Sequence, residues 1–190
     1  MGAFEHVISL LSFVFALAIT HLLMSVAGLI RNAPRVRWSG PAEMWMLNGL
    51  VTVIANWISF WDMRALTSWS IGTIFFTFGL SFVTYLQVAL VCPDIPADGA
   101  IDLARFHDEQ SKRYIGAFLL TCGVAVIANF VFGGVFRVAE WNKQNLAVLP
   151  MIAIALAAIF LRARWVQIAA PLALMAVWVY YFVTLQSALK

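Results

Sequence analysis

Residues 43–64, EMWMLNGLVTVIANWISFWDMR, decide the class of protein to which this chain belongs. The segment holds 18 charge-free residues between Glu43 and Asp62. An α-helix rises about 1.5 Å per residue and the hydrocarbon core of a bilayer is about 30 Å thick, so a run of this length just crosses it. The segment therefore predicts a transmembrane helix.

Four polar residues lie inside this segment: Asn48, Thr52, Asn56 and Ser59. Their spacings of four, four and three residues place them on one face of a helix. An amide in hydrocarbon costs several kcal/mol unless it finds a partner. This face is therefore expected to contact other helices or water rather than lipid. It either lines a conduit or ligand site or joins neighbouring helices, and the second use is the commoner one.

The composition extends this interpretation to the whole chain. Of its 190 residues, 63% are hydrophobic and 11% are charged, and the mean hydropathy is +0.90. Soluble domains carry about 25% charged residues, so the chain is predicted to be a polytopic integral membrane protein. The net charge of +3 predicts no nucleic-acid partner, because the basic residues lie at the ends of apolar runs. Cys92 and Cys122 are isolated and are interpreted as free thiols.

The apolar runs predict an all-α fold with six transmembrane helices in a single domain, residues 1–190. The predicted spans are residues 4–30, 44–61, 69–91, 114–136, 145–161 and 165–188. The one sizeable polar segment between them is DIPADGAIDLARFHDEQSKR, residues 94–113. We expect a short helix on the cytoplasmic membrane surface in this loop, with Asp98 as its N-cap and Asp102 in its first turn.

The basic residues between the spans predict the orientation in the bilayer. An even number of spans puts both termini on one side, and that side carries four basic residues against eight on the other. The side richer in Lys and Arg is usually cytoplasmic. Both termini are therefore predicted to lie outside, with loops one, three and five in the cytoplasm.

The third span carries a second polar stripe, formed by Thr73, Thr77, Ser81 and Thr84, with Gln87 nearby. The spacings are again four, four and three residues, which is one helix face. Hydroxyls of this kind bond back to the carbonyl four residues earlier or pack against a neighbouring helix. The alternative is that they line a wet pathway together with the second span.

The first span has a comparable face made of Glu5, Ser9, Ser12 and Thr20. Stripes on three consecutive spans predict a central polar interface among spans one to three. His21 lies in the predicted cytoplasmic half of the first span. Histidine changes its charge near neutral pH, which suits a proton relay or gate. The alternative is a neutral histidine bonded to a carbonyl or hydroxyl.

A short sequence match suggests an internal repeat. VIANW at residues 53–57 returns as VIANF at residues 126–130, and an arginine follows each asparagine after eight residues, at Arg64 and Arg137. The two spans run in the same direction, so the match predicts a parallel repeat of two-helix units. A match of this length also arises by chance in so apolar a chain. Asn129 is the expected partner for one of the polar stripes.

Charged residues at the predicted outer rim are the nearest approach to a catalytic constellation. They are Glu5, His6, Asp62, Arg64 and Arg137. They match no nucleophile–base pair, no metal-ligand motif and no phosphate loop. We therefore predict no metal and no other cofactor, and enzyme activity is less expected than its absence.

Two segments resemble a group of uncharacterised six-span bacterial inner-membrane proteins. The first is FEHVISLLSFVFALAITHLLMSVAGLIR, Phe4–Arg31, followed by a Trp-rich second span, and the second is IDLARFHDEQSKRYIGAFL, Ile101–Leu119. The resemblance covers about half of the chain. It implies six spans and a location in a bacterial inner membrane, and it implies no activity and no functional residue.

Three functions are compatible with the sequence. The first is a small conduit or carrier for ions or small solutes, with a polar pathway among spans one to three. The alternative is a non-catalytic subunit that scaffolds or stabilises a larger membrane complex, and the third is a lipid-handling enzyme. The small residues of the fifth span, Ala153, Ala155, Ala157 and Ala158, favour close helix contact. Besides the lipid bilayer, we therefore expect a second copy of the chain or another membrane protein as partner.

Overall fold

Six α-helices form most of the described part of the chain in the computed structural model, which covers residues 2–66, 68–135 and 139–185. The helices are α1 (Ala3–Arg31), α2 (Gly40–Ser59), α3 (Ile71–Val91), α4 (Leu103–Val135), α5 (Ala139–Phe160) and α6 (Arg164–Tyr180). A 3₁₀ segment, Phe60–Ala65, extends α2, and a π-helical turn, Tyr181–Leu185, extends α6. The predicted all-α class is confirmed.

The fourth helix differs from the prediction. The expected short surface helix is not a separate element, because α4 begins at Leu103 and continues without a break into the fourth span. Its cap is Asp102 rather than Asp98: the Asp102 Oδ1 atom accepts the backbone N–H groups of Ala104 and Arg105, each at 3.0 Å. No Gly or Pro occurs between Leu103 and Tyr114 to end the helix.

Four helical segments of the described chain are long and apolar enough to cross a membrane. They are Phe4–Arg31, Ile71–Val91, Leu103–Val131 and Arg164–Thr184. The apolar part of α5, Asn145–Phe160, is shorter. α2, which contains Glu43, Asn48 and Asn56, is not among the four. By the length and composition of these four segments, the chain is a membrane protein.

The two ends of the helix bundle are chemically different. The end at which α1 begins is called the terminal end here, and the end that carries residues 32–39, 92–102 and 161–163 is called the basic end. At the basic end, Val36–Arg37 and Ile101–Asp102 form a two-residue parallel bridge. The Arg35 guanidinium also donates to the backbone carbonyl oxygens of Pro96, Ala97 and Gly99 at 3.2, 3.1 and 2.8 Å. The first and third loops are therefore held together.

Helix α1 lies at the edge of the bundle. It packs against α2 and α3 through an apolar face that includes Leu11, Phe15, Ala18 and Leu22, all of them buried. A second core is formed mainly by the other five helices, with Leu29 of α1 at its edge. In it, Trp45 of α2 contacts Tyr114 and Phe118 of α4 with ring centroids 5.8 Å apart in both cases. The interior of the bundle is thus formed by α2 to α6.

Candidate functional site

A cavity of about 70 Å³ lies inside the bundle. Its walls come from α2, α3, α4, α5 and α6, together with the segments that extend α2 and α6. On α2 the walls reach from Thr52 to Ser59, so the cavity extends from the middle of the bundle toward the terminal end. A water molecule takes up about 30 Å³ in the liquid, so the space suffices for at least two waters or one small solute.

Two asparagines from different helices line this cavity. Asn56 of α2 and Asn129 of α4 both contribute to its wall, and they are the asparagines of the VIAN match. Asn56 donates its amide to the Thr52 carbonyl at 3.0 Å and to the Thr84 hydroxyl of α3 at 3.4 Å. Asn129 donates to the Asn145 Oδ1 atom of α5 at 2.8 Å. Each asparagine therefore bonds to the helix that follows its own in the chain.

Most hydroxyl groups of the α2 and α3 stripes are satisfied within their own helix. Thr52 donates to the Asn48 carbonyl at 2.7 Å, Ser81 to the Thr77 carbonyl at 3.0 Å, and Thr84 to the Leu80 carbonyl at 2.8 Å. Thr77 and Ser59 likewise bond to carbonyls three or four residues earlier. These hydroxyls need no partner on another helix, which is the first of the two alternatives for such stripes.

The cavity is closed toward the basic end by aromatic side chains. Phe118 belongs to its wall, and beyond it lie Trp45 and Tyr114, each at most 2% exposed. Packed aromatic rings of this size leave no space for water. The cavity therefore ends inside the bundle on this side.

Five buried polar atoms have no hydrogen-bond partner among the described side chains and backbone: Trp45 Nε1, Asn48 Oδ1, Trp69 Nε1, Gln87 Oε1 and Trp178 Nε1. Trp178 lines the cavity itself. Gln87 lies one contact away, because its Nε2 atom is 3.4 Å from the hydroxyl of the cavity residue Thr52. Buried groups without partners are rare in proteins, and they often mark functional positions.

A second polar cluster lies on the basic-end side of Phe118, and its polar side-chain atoms all have hydrogen-bond partners. The Gln167 Nε2 atom of α6 donates to the carbonyls of Ala158 and Leu161 at 2.8 and 3.0 Å. Its Oε1 atom accepts a hydrogen bond from His107 Nε2 at 3.0 Å, and the Nδ1 atom of His107 is hydrogen-bonded to the Tyr114 hydroxyl. We call His107, Tyr114 and Gln167 the clamp, because they tie α4, α5 and α6 together.

The polar face predicted for the first span does not join the interior, and this expectation is corrected. Glu5, Ser9 and Thr20 are exposed on the outer side of α1, and the exposed His21 ring lies beside the Tyr85 ring of α3, with centroids 6.4 Å apart. None of the cavity wall among the described residues comes from α1. Ser12, which is partly buried, accepts the indole N–H of Trp57 at 3.1 Å near the surface. The reason is that α1 packs through its leucine and phenylalanine face. The Ser9 hydroxyl needs no partner on another helix, because it donates to the Glu5 carbonyl at 2.7 Å.

The predicted outer rim is only partly described. Glu5 and His6 are exposed at the start of α1, and the Arg64 guanidinium lies 5.0 Å from the ring centroid of Trp61. Arg137 and the side chain of Asp62 lie outside the described residues. No group of three or more His, Cys, Asp or Glu side chains that could hold a metal ion occurs within the described ranges.

Both cysteines are free. Burial raises the pKa of the Cys92 thiol to about 11, although a hydrogen bond with Ser25 opposes this shift. This thiol is therefore protonated at neutral pH and is a poor nucleophile.

Sequence reasoning missed several residues that the structure brings together. Gln167, His107 and Asn145 were not identified as interior polar residues, and neither was Thr121, which lines the cavity. The available signal was the rarity of Gln, Asn and His in apolar helices. His107 and Tyr114 are also seven residues apart, which places them on one helix face once α4 is known to be continuous.

The comparisons with known proteins give no further identification. No protein-family model, no curated protein and no solved structure matches this chain. Any functional assignment therefore rests on the class of membrane protein and on the geometry of the cavity.

Proposed function

We propose that the chain crosses the membrane six times and acts as a carrier whose small solute binds in the cavity. The observation that carries this proposal is the position of Asn56 and Asn129, which lie on different helices and line one cavity near the middle of the bundle. Amides are costly inside a membrane unless they are used. Substrate sites of membrane carriers lie near the bilayer midplane.

A carrier fits this geometry better than an open conduit. The cavity extends toward the terminal end, and the rings of Trp45, Tyr114 and Phe118 fill the bundle on the other side. A conduit needs a continuous path, whereas a carrier exposes its site to one side at a time. Movement of the helices that carry these three rings would open the cavity toward the basic end.

The orientation and location belong to the same proposal. The eight-to-four distribution of basic residues supports an orientation with the basic end in the cytoplasm and both termini outside. The resemblance of Phe4–Arg31 and Ile101–Leu119 to a group of uncharacterised bacterial inner-membrane proteins supports a location in such a membrane. In this orientation the cavity receives its solute from outside the cell. A cytoplasm-specific fluorescent reporter fused to Lys190 should stay dark, and bright fluorescence from inserted protein would overturn the orientation.

The proposal is tested by uptake into proteoliposomes. Stopped-flow and radiotracer uptake of rubidium ion, urea and butyramide should exceed that of empty liposomes for at least one solute. Asn56→Leu should abolish most of this uptake while the protein still folds and inserts. The control is Thr20→Val, because Thr20 lies on the outer face of α1. Uptake equal to that of empty liposomes for every solute would contradict a carrier.

A second candidate, a non-catalytic subunit of a larger assembly, is favoured by the outer face of α1. Ser9, Thr20 and, beside Tyr85 of α3, His21 are exposed on this apolar helix, and polar side chains exposed to lipid are costly. A second protein chain over this face would remove that cost. The hydroxyls of α2 and α3 bond to backbone carbonyls of their own helices, and this arrangement also suits a helix bundle without transport.

Cysteine crosslinking separates the two candidates. Thr20→Cys, oxidised in native membranes, should give a dimer of this chain or a crosslink to another protein if the α1 face is an interface. The matched control is Ser70→Cys, which is exposed in the segment before α3. If Thr20→Cys remains uncrosslinked in membranes, the subunit candidate loses its support.

A further inference from the structure

A cleft of about 620 Å³ opens at the basic end of the bundle, and it shares no wall residue with the cavity. Its walls come from the last turns of α3, the loop that follows and the first turns of α4. They lie between Ala89 and Arg113, and every residue of that range is described. Small-molecule sites in proteins occupy about 300–1,000 Å³, so the cleft has the size of a binding site.

Five charged side chains of both signs line this cleft: Asp94, Asp102, Arg105, Glu109 and Arg113. The Arg105 Nε atom lies 2.7 Å from Glu109 Oε1. The Asp102 Oδ2 atom lies 3.1 Å from an arginine of the first loop. Within the described ranges, the two wall charges without an ion pair are therefore Asp94 and Arg113, one acid and one base.

These two side chains can reach a ligand, because both residues are exposed. Arg113 donates from Nη1 to Gln110 Oε1 at 3.0 Å, and most of its N–H donors remain available. The Asp94 carboxylate makes no hydrogen bond and no ion pair among the described residues. Arginine pairs well with phosphate, and a carboxylate accepts hydrogen bonds from an ammonium group. A ligand that carries both groups matches this pair.

An apolar stripe leads from the cleft along α3. Leu90 lines the cleft, and Leu86 and Phe82 precede it by four and eight residues, which places all three on one side of the helix. Leu86 is 37% exposed and Phe82 is 63% exposed. At 1.5 Å per residue, the stripe is about 12 Å long. Since α3 is long and apolar enough to cross a membrane, the cleft joins charged groups to a surface that contacts lipid chains.

We infer that the cleft binds a zwitterionic phospholipid with a primary ammonium group. Arg113 pairs with the phosphate, Asp94 accepts from the ammonium, and the acyl chains lie along the stripe of α3. A primary ammonium donates hydrogen bonds to carboxylates, which a quaternary ammonium cannot do. An anionic lipid has no positive group for Asp94 and meets a wall in which acids outnumber bases.

Three lipids with identical chains test the inference: dioleoyl phosphatidylethanolamine, phosphatidylcholine and phosphatidylglycerol. Native mass spectrometry of the delipidated full chain in detergent should show phosphatidylethanolamine binding roughly tenfold tighter than either of the others, because hydrogen bonds to charged groups are strong. Equal binding of the three lipids, or tighter binding of phosphatidylglycerol, would overturn the zwitterion. This comparison needs no variant.

A soluble headgroup compound tests whether the ligand is a lipid. Glycerophosphoethanolamine has the same charges without the chains, so an equal concentration should leave the phosphatidylethanolamine adduct in place. Displacement of the lipid would show that the apolar stripe contributes nothing, and it would overturn the lipid as the source of the ligand.

Two variants separate the contacts. Arg113→Gln should weaken phosphatidylethanolamine binding roughly tenfold, and Asp94→Asn should lower the preference for phosphatidylethanolamine over phosphatidylglycerol by about the same factor. Lys112→Gln and Asp98→Asn are the matched controls, because both residues are exposed in the same part of the chain and neither lines the cleft. Unchanged binding and preference in the two cleft variants, or equal changes in the controls, would overturn the assignment of the two contacts.

Discussion

The clamp and the cavity are two polar regions of one bundle, and they differ in how their polar atoms are paired. In the clamp, the Gln167 amide makes hydrogen bonds through both its oxygen and its nitrogen, and His107 makes one through each ring nitrogen. In and beside the cavity, Trp178 and Gln87 each keep one buried atom without a partner. Both regions lie among α2 to α6, so this contrast does not come from a difference in fold.

The difference indicates a division of roles. A buried polar network with all its partners stabilises one arrangement of its helices, whereas unpaired groups destabilise the protein until a ligand engages them. The clamp is therefore expected to stabilise the arrangement in which the cavity is closed toward the basic end. The unpaired atoms in and beside the cavity are expected to lower the free energy of unfolding, which is a cost that a binding site requires. Substitutions in the two regions should consequently change stability in opposite directions.

The largest effect is expected from Gln167→Leu in the clamp. The substitution leaves the His107 Nε2–H group without an acceptor and removes bonds to the Ala158 and Leu161 carbonyls. We expect a loss of about 2–4 kcal/mol of stability, measured by denaturant unfolding in detergent micelles. Gln110→Leu is the control, because Gln110 accepts its hydrogen bond from the exposed Arg113 at the surface, and it should change stability by less than about 0.5 kcal/mol. Equal effects of the two substitutions would contradict the role of the clamp.

Tyr114→Phe should have a smaller effect in the same direction. The ring remains packed against Trp45, and only the hydroxyl that bonds to His107 is lost. Since the His107 Nδ1 atom then lacks a donor, the expected cost is about 1–2 kcal/mol. The reference is Tyr180→Phe on the exposed face of α6, which should be neutral. A neutral Tyr114→Phe would mean that ring packing alone holds α4 in place.

The opposite sign is expected for Gln87→Met beside the cavity. Methionine has a similar length and removes the unpaired Oε1 atom. The bond it gives up, from Gln87 Nε2 to the Thr52 hydroxyl, is long at 3.4 Å. Stability should therefore rise by up to about 1 kcal/mol in the same unfolding assay. A loss of more than about 1 kcal/mol would show that Gln87 is as fully paired as the clamp.

The sequence predicted the polar residues of α2 and α3 better than those of α1, and the reason is chemical. An amide such as Asn56 cannot satisfy all its donors and acceptors within one helix, so its presence in an apolar segment requires neighbours. A hydroxyl can bond to the carbonyl four residues earlier, as Ser9 does with Glu5. Stripes of Ser and Thr therefore carry much less information about which face is buried than asparagines do.

The clamp escaped prediction because its parts are far apart in sequence. His107 and Gln167 are 60 residues apart, and nothing local connects them. The error at residues 94–113 added to this, because a separate surface helix would leave His107 outside the bundle. In the continuous α4, His107 and Tyr114 instead lie on one buried face.

The smallest effect concerns the start of this helix, where the Asp102 side chain is partly exposed to solvent. Its pKa lies below the ordinary value of 3.8, mainly because its carboxylate accepts the backbone N–H of Arg105 and to a lesser extent because Arg37 is near. Since the pKa is lower in the folded state, the ionised carboxylate stabilises the start of α4 above about pH 3.8. This contribution disappears as the pH falls through the folded-state value.

A carboxyl ¹³C NMR titration in detergent micelles should therefore give Asp102 a pKa below 3.8. In Arg37→Ala, which removes the contact of 3.1 Å between the guanidinium and Oδ2, the pKa should rise but remain below that value, because the backbone N–H of Arg105 still donates to Oδ1 at 3.0 Å. A complete return to 3.8 in the variant would mean that the ion pair, rather than the helix cap, lowers the pKa. In that case the loop at the basic end would be held by surface charge, which salt screens, and not by the hydrogen-bonded start of α4.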